Sequence, residues 1–224
     1  MFRNERGRGV FHWNLRLIGL EKNLMSAPEH AEGPKPEKKR RAPDARIRRT
    51  HERLGLALLG LIQEKPIHKV TVQEVLDRAA VGRSTFYLHF RDKNDLLLSQ
   101  LETFLEFMST TLSQRKEASH RVVPVTEMFS HIASQMKIYR ALGDSGRLHD
   151  FFDLAQGYFS RGIEQRLKES GRLPKLPPRE LAARASALAG SLLSLLRWWL
   201  DRGAKDPAGD MDKLFHRMVW NGLR

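Results

Sequence analysis

The stretch VGRSTFYLHF, residues 81–90, sets Arg83, Ser84, Thr85, Tyr87 and His89 around two phenylalanines four residues apart. At helical spacing Phe86 and Phe90 share one face. That face is too small for a core element standing alone. The remaining positions carry a guanidinium, two hydroxyls, a phenol and an imidazole, a set suited to hydrogen bonding. A guanidinium fork matches O6 and N7 of guanine, and the hydroxyls reach base edges or phosphate. The phenol and imidazole can donate to phosphate oxygens. The chemistry this set implies is recognition of double-stranded DNA.

Such a helix needs neighbours that hold it by its phenylalanines and free its other face. Upstream, Ile47, Leu54, Leu58, Leu61 and Ile62 recur at three to four residues after Asp44, a plausible N-cap. Pro66 stops this first helix. VTVQEVLDRAA then predicts a second, with Thr71 and Glu74 as a capping box and Val72, Val75, Leu76 and Ala79 on one face. Ala79 and Ala80 let the second and third helices approach, Val81 plugs the turn, and Gly82 serves as N-cap. A fourth helix starts at Asp92, with Asp95 in its acidic first turn. Three short helices with an abrupt turn before the third describe a helix-turn-helix, whose third helix enters the major groove. Arg83, Ser84, Thr85, Tyr87 and His89 then face the groove or its rim. Thr71 and Gln73 open the helix that crosses the strand, and Lys93 sets a cation against the backbone. A plain three-helix core with a solvated polar face is the other reading.

The charge distribution favours DNA. The net charge is +13, and residues 33–53 hold nine Lys/Arg against three acids, an excess of six. A block of that kind releases condensed counterions on meeting a polyanion. Residues 1–43 read as a disordered basic arm, since EHAEGPKPEKKRRAPD has no apolar period. Met25, opening MSAPEH, reads as the natural start. There is no cysteine, which excludes disulfide scaffolds and Cys-ligated metal and suits a cytoplasmic location. The longest apolar or small run, Ala185 to Leu196, is short of the roughly 20 residues a membrane span requires.

Beyond the fourth helix the pattern stays helical, giving an all-α protein. Helices are expected from about Pro124 to Leu142, Arg147 to Glu169, Pro178 to Arg202 and Ala208 to Asn221. The third of these is apolar or small nearly all round, so it needs cover on more than one side. A second subunit supplies one cover, with Leu188, Leu192, Leu196 and Trp199 at the seam; the interior of a large monomer is the alternative. EMFSHIASQMKIYRAL and LHDFFDLAQGYFSRGI are rich in aromatics, with His131, Tyr139, His149 and Tyr158 as polar handles for a small-molecule ligand. Aromatics at helical spacing are more often core. GDSG at 143–146 sits between helices and reads as a turn rather than a protease loop. No zinc-protease, P-loop or dinucleotide fingerprint is present, and the nine histidines lack metal-ligand spacing. No catalytic site, cofactor or metal is therefore expected.

TVQEVLDRAAVGRSTFYLHFRDKNDLL resembles the DNA-binding segment of the TetR family of bacterial transcriptional regulators, over roughly Arg46 to Leu98. The resemblance implies base or backbone contacts for Arg83, Ser84, Thr85 and Tyr87, and phosphate contacts for His89 and Lys93. It divides the chain into a DNA-binding domain at 44–95 and a helical dimerisation and effector domain at 96–224. LLSLLRWWLDRG also resembles the C-terminal domain of TetR-type regulators related to dihydroxyacetone-kinase activators. The function implied is that of a homodimeric repressor on a pseudo-palindromic operator, released by a small molecule. Control through a protein partner is the alternative. Two departures stand out: Ala80 replaces the usual turn glycine, so the backbone there must avoid a left-handed conformation or carry slight strain. Gly82 replaces the usual Ser or Thr cap, a small loss.

Overall fold

A computed structural model of the chain describes residues 42–114, 119–171 and 176–222. The basic arm up to residue 41, and with it Met25, lies outside them. Nine α-helices and one short 3-10 turn make up the described residues, with no strand among them. Contacts divide the chain into a unit ending at Leu97 and a second starting at Leu98.

The first unit contains α1 (Ala42–Glu64), a 3-10 turn (Ile67–Lys69), α2 (Val72–Ala79), α3 (Arg83–His89) and the start of α4 (Lys93–Gln114). Its core is Leu54, Leu58, Leu61, Ile62, Ile67, Val70, Val75, Leu76, Ala79, Phe86, Phe90 and Leu96. α1 begins at Ala42, two residues before the expected cap. Ile47, expected in the core, is 43% exposed, because it lies two turns ahead of Leu54, where α2 and α3 no longer cover α1. The first turns of α1 therefore present Arg46, Arg48 and Arg49 to solvent.

The second unit holds the rest of α4 with α5 (Val125–Ser134), α6 (Met136–Asp144), α7 (Leu148–Ser170), α8 (Pro178–Asp201) and α9 (Ala208–Gly222). The single helix expected from Pro124 to Leu142 is broken at Gln135. There φ is −118° and ψ 30°, and the Gln135 N–H reaches both His131 O and Ile132 O at 3.1 Å. GDSG forms the end of α6 and the turn after it, with Gly146 at φ 71°. α7 packs along α8, and α5 against α9. α7 approaches α4 so closely at Gly162 that a Cβ there would lie 2.2 Å from Ser109 O, which is why that position carries no side chain.

A polar network joins segments far apart in sequence. Arg121 bridges Glu127 and Asp212, and Asp212 accepts from Thr126 N at 3.1 Å. His216 offers Nε2 to Val122 N–H at 3.0 Å and turns Nδ1 toward Asp212. Burial opposes ionisation of Asp212, yet hydrogen bonding by His216 and the positive Arg121 hold its carboxyl below the usual range. Arg166, itself buried, donates to the carbonyls of Ser119 and Arg121. This network anchors the α4–α5 connection.

Candidate nucleic-acid interface

The site is built on α3, a helix of seven residues that is too short to persist alone. Its partners set its position. Phe86 is fully buried and Phe90 nearly so, with their rings 5.8 Å apart. The turn before it is a Schellman ending to α2: Val81 N–H donates to Leu76 O at 3.1 Å and Ala80 N–H to Asp77 O at 3.2 Å. Ala80 takes φ 47° and ψ 51°, so the backbone adopts the left-handed conformation despite the Cβ. Arg53 of α1 donates to Ala80 O at 2.8 Å and ties that turn to the first helix. Gly82 caps α3 without a side chain, its carbonyl accepting from Phe86 N–H at 3.1 Å.

On the outward side, Arg83, Ser84 and Tyr87 are exposed and Thr85 half-buried. The Arg83 guanidinium lies 5.8 Å from the centre of the Tyr87 ring, so the two form one surface. His89 is half-buried, its ring edge-on to that of His51 at 4.7 Å. Burial, reinforced by the nearby His89, pushes the His51 imidazole below its ordinary value. Protonation of His51 is thus opposed.

Three of the expected contact residues carry structural duties as well. Thr71 is exposed, but its hydroxyl accepts from Glu74 N–H at 3.2 Å and donates to the Glu74 carboxylate at 2.9 Å. The Lys65 ammonium, then the Thr71 N–H and hydroxyl, hold the Glu74 carboxyl down to about 2. Gln73 is exposed and donates to Asp77 at 2.8 Å. Lys93 departs furthest from the sequence expectation of a phosphate contact. Its ammonium donates to Ile67 O at 2.7 Å and to Val70 O, closing the 3-10 turn between α1 and α2. Burial lowers its pKa. One N–H at most remains for a phosphate. Asp92 caps α4, as the sequence predicts, accepting from Asn94 and Asp95 N–H at 2.8 Å.

In the second unit the four residues expected around a ligand do not converge. His131 and Tyr139 do meet: the His131 ring lies 4.3 Å from Phe104 and 6.4 Å from Tyr139, which also faces Phe151 at 6.0 Å. The Tyr139 hydroxyl is buried without a hydrogen-bond partner among the described residues, and burial raises its pKa. Tyr158 instead donates to Glu102 at 2.9 Å, its pKa pushed up to about 12 by burial and then by that carboxylate. His149 stands apart, 86% exposed and paired with Asp153 at 3.3 Å, one turn on along α7. Its place on the outer face of α7 removes it from any enclosed site.

Of the residues expected at the seam, most lie inside their own unit. Leu192, Leu196 and Trp199 are buried within their own unit, Trp199 donating to Asp206 O at 2.8 Å and stacking near Phe129. Leu188 is half-buried. The uncovered face of α8 carries Ala187, Ser191, Ser194, Leu195 and Trp198. With Leu214 and Met218 of α9 it forms an open apolar groove. Sequence reasoning also missed Arg53 and Leu88. The signal for Leu88 was available, since an apolar residue off the Phe86/Phe90 stripe has no place in the core.

A capped helix, a tight turn, a docked second helix with a polar outer face and a separate all-helical unit define a class: helix-turn-helix DNA-binding regulators with a second domain. Residues 57–99 match the family model described as bacterial regulatory proteins, tetR family. No curated protein matches the chain in sequence. The fold is similar to that of the dihydroxyacetone kinase operon activator DhaS, with TM-score 0.60, 13% identity and coverage of 78% of this chain and 96% of that one. A TetR transcriptional regulator from Rhodococcus sp. RHA1 gives TM-score 0.56 at 19% identity, covering 78% and 95%. The fatty acid degradation regulator FadR from Bacillus halodurans gives 0.52 at 18%, covering 78% and 100%. The chain thus carries a segment that matches the tetR-family model, on a fold similar to that of these regulators.

Proposed function

We propose that the protein is a cytoplasmic homodimeric repressor that binds a pseudo-palindromic operator through α3 and leaves it when a small molecule occupies the second unit. The observation that carries the reading is α3 itself: Phe86 and Phe90 hold it to the core while Arg83, Ser84 and Tyr87 stand free on its outer side. Arg83 reads a guanine, Ser84, Thr85 and Tyr87 contact base edges or backbone, and His89 lies at the rim. Thr71 and Gln73 meet the strand that α2 crosses. Lys93 acts mainly by fixing the 3-10 turn, and contributes one N–H to the backbone.

A second copy covers the α8–α9 groove, since a two-fold protein matches two half-sites. The exposed Trp198 and Met218 supply the apolar area there. The buried Tyr139 hydroxyl beside His131 supports an effector that offers it a polar partner, because a buried hydroxyl left unpaired is costly. DhaS, described as an activator, shares the fold, so repression rests on the family resemblance. The test is selection of bound duplexes from a random pool by the full chain. Two-fold symmetric half-sites should emerge. Arg83→Ala should weaken the selected duplex by about 1–3 kcal/mol and relax one base pair per half-site. Selection of no sequence, or equal binding by Arg83→Ala, refutes the reading.

A further inference from the structure

Leu88 is 78% exposed, more than any other large apolar side chain among the described residues. It lies two residues from Phe86 and two from Phe90, hence about 160° around the helix axis from each. That places it at the middle of the face turned away from the core. Its surroundings on that face are polar: Ser84 one turn earlier and Tyr87 beside it, with Arg91, its side chain 79% exposed, in the bend just past the helix. A leucine there adds nothing to the packing of the unit, and it can neither donate to phosphate nor accept from a base. The charges around it nevertheless suit a polyanion, with Arg83 at the first residue of the helix and Arg91 just beyond its C-cap. Within a major groove one base-edge group is apolar, the C5-methyl of thymine.

We infer that Leu88 is a specificity-determining residue, packing on the C5-methyl group of one thymine in each half-site. The inference rests on the reading of α3 as the helix that enters the groove. Arg83 then reads a guanine by hydrogen bonds, and Leu88 reads a thymine by exclusion of water from two apolar surfaces.

The experiment uses the full chain and the duplex obtained by selection. Each thymine is replaced in turn by deoxyuridine, which keeps its pairing edge and O4 acceptor and lacks only the methyl group. Affinities are measured by competition at one fixed salt concentration for wild type and Leu88→Ala. For wild type, one thymine per half-site should show a loss of about three- to fivefold on replacement, the worth of one buried methyl group. Leu88→Ala should bind the thymine and deoxyuridine duplexes equally at that position, with an unchanged melting profile and unchanged affinity for random duplex. A wild type indifferent to every replacement overturns the inference, while the selected half-sites still uphold the reading of α3. So does a Leu88→Ala variant that keeps the full deoxyuridine penalty. Failure to select any preferred duplex overturns the reading of α3 and the inference with it.

Discussion

Ala80 offers the sharpest test of how the turn before α3 is held. A left-handed backbone costs a residue with a Cβ roughly 1–2 kcal/mol, and Ala80 sits in that region at φ 47°. Replacing it by glycine removes the clash but gives the unfolded chain more freedom, which returns about 0.4–1 kcal/mol. The net expectation for Ala80→Gly is a gain of about 0.5–1 kcal/mol in the first unit. No contact is lost, because the hydrogen bond from Arg53 goes to the Ala80 carbonyl and the turn bonds go through backbone N–H groups. The two units need not unfold together, so a single melting temperature is the wrong measure. Amide hydrogen exchange of peptides covering α2 and α3 reports the first unit alone. Protection there should rise about two- to fivefold, with the second unit unchanged. Ala80→Val, whose branched side chain tolerates positive φ less well, should lower it. Equal or weaker protection in Ala80→Gly would mean that the turn stores no strain, and that the alanine Cβ makes a compensating contact.

Phe86→Ala should cost the first unit about 3–5 kcal/mol in urea unfolding and abolish DNA binding by loss of the domain rather than of a contact. Glu74, held down to about 2 mainly by Lys65, contributes stability that is present above pH 4.5 and lost as pH falls toward 2. Glu74→Gln should therefore flatten the acid limb of unfolding in that unit, measured by hydrogen exchange. Trp198→Arg, on the uncovered face of α8, should leave the helical signal intact and shift sedimentation from dimer to monomer. Leu196→Arg, whose side chain is buried in its own unit, should instead unfold that unit by burying an unpaired charge.

The helix-turn-helix was legible because each part has a local signal: a capping box at Thr71 and Glu74, a stop at Pro66, and an i, i+4 phenylalanine pair. The boundaries of α7, α8 and α9 were set by Gly171, by Pro178 and by the Gly203 to Pro207 break in the same way. The break at Gln135 was not legible, since neither glycine nor proline marks it. Nor did periodicity decide which side of α8 meets its own unit. Leucines and small residues occur on both faces, and only the positions of α7 and α9 distinguish Leu196 from Leu195. The Arg121–Asp212–His216 network joins residues about 90 apart, beyond the reach of any local pattern. The structural role of Lys93 was not legible for a related reason. A lysine at the first turn of a helix reads as exposed, whereas here unpaired carbonyls of the 3-10 turn lie within its reach.

That placement of Lys93 bears on how α3 is divided between folding and recognition. Everything that orients α3 lies outside its outer face: Phe86 and Phe90 beneath it, the Ala80 turn before it, Arg53 across that turn, and Lys93 bracing the segment that leads into α2. Ser84 and Leu88 carry none of the load, and Tyr87 meets the core only edge-on at Phe86, 5.2 Å between ring centres. Thr71 and Lys93 do carry it, because each holds a helix terminus or a turn in addition to any backbone contact. On the proposed reading, residues fixed by folding supply contacts to the sugar–phosphate backbone, which is the same for every sequence. Residues on the free face of α3 would then supply the contacts that differ between sequences. On the proposed reading, substitutions at Arg83, Ser84, Tyr87 and Leu88 should change the operator that is read while the contacts to the sugar–phosphate backbone stay the same.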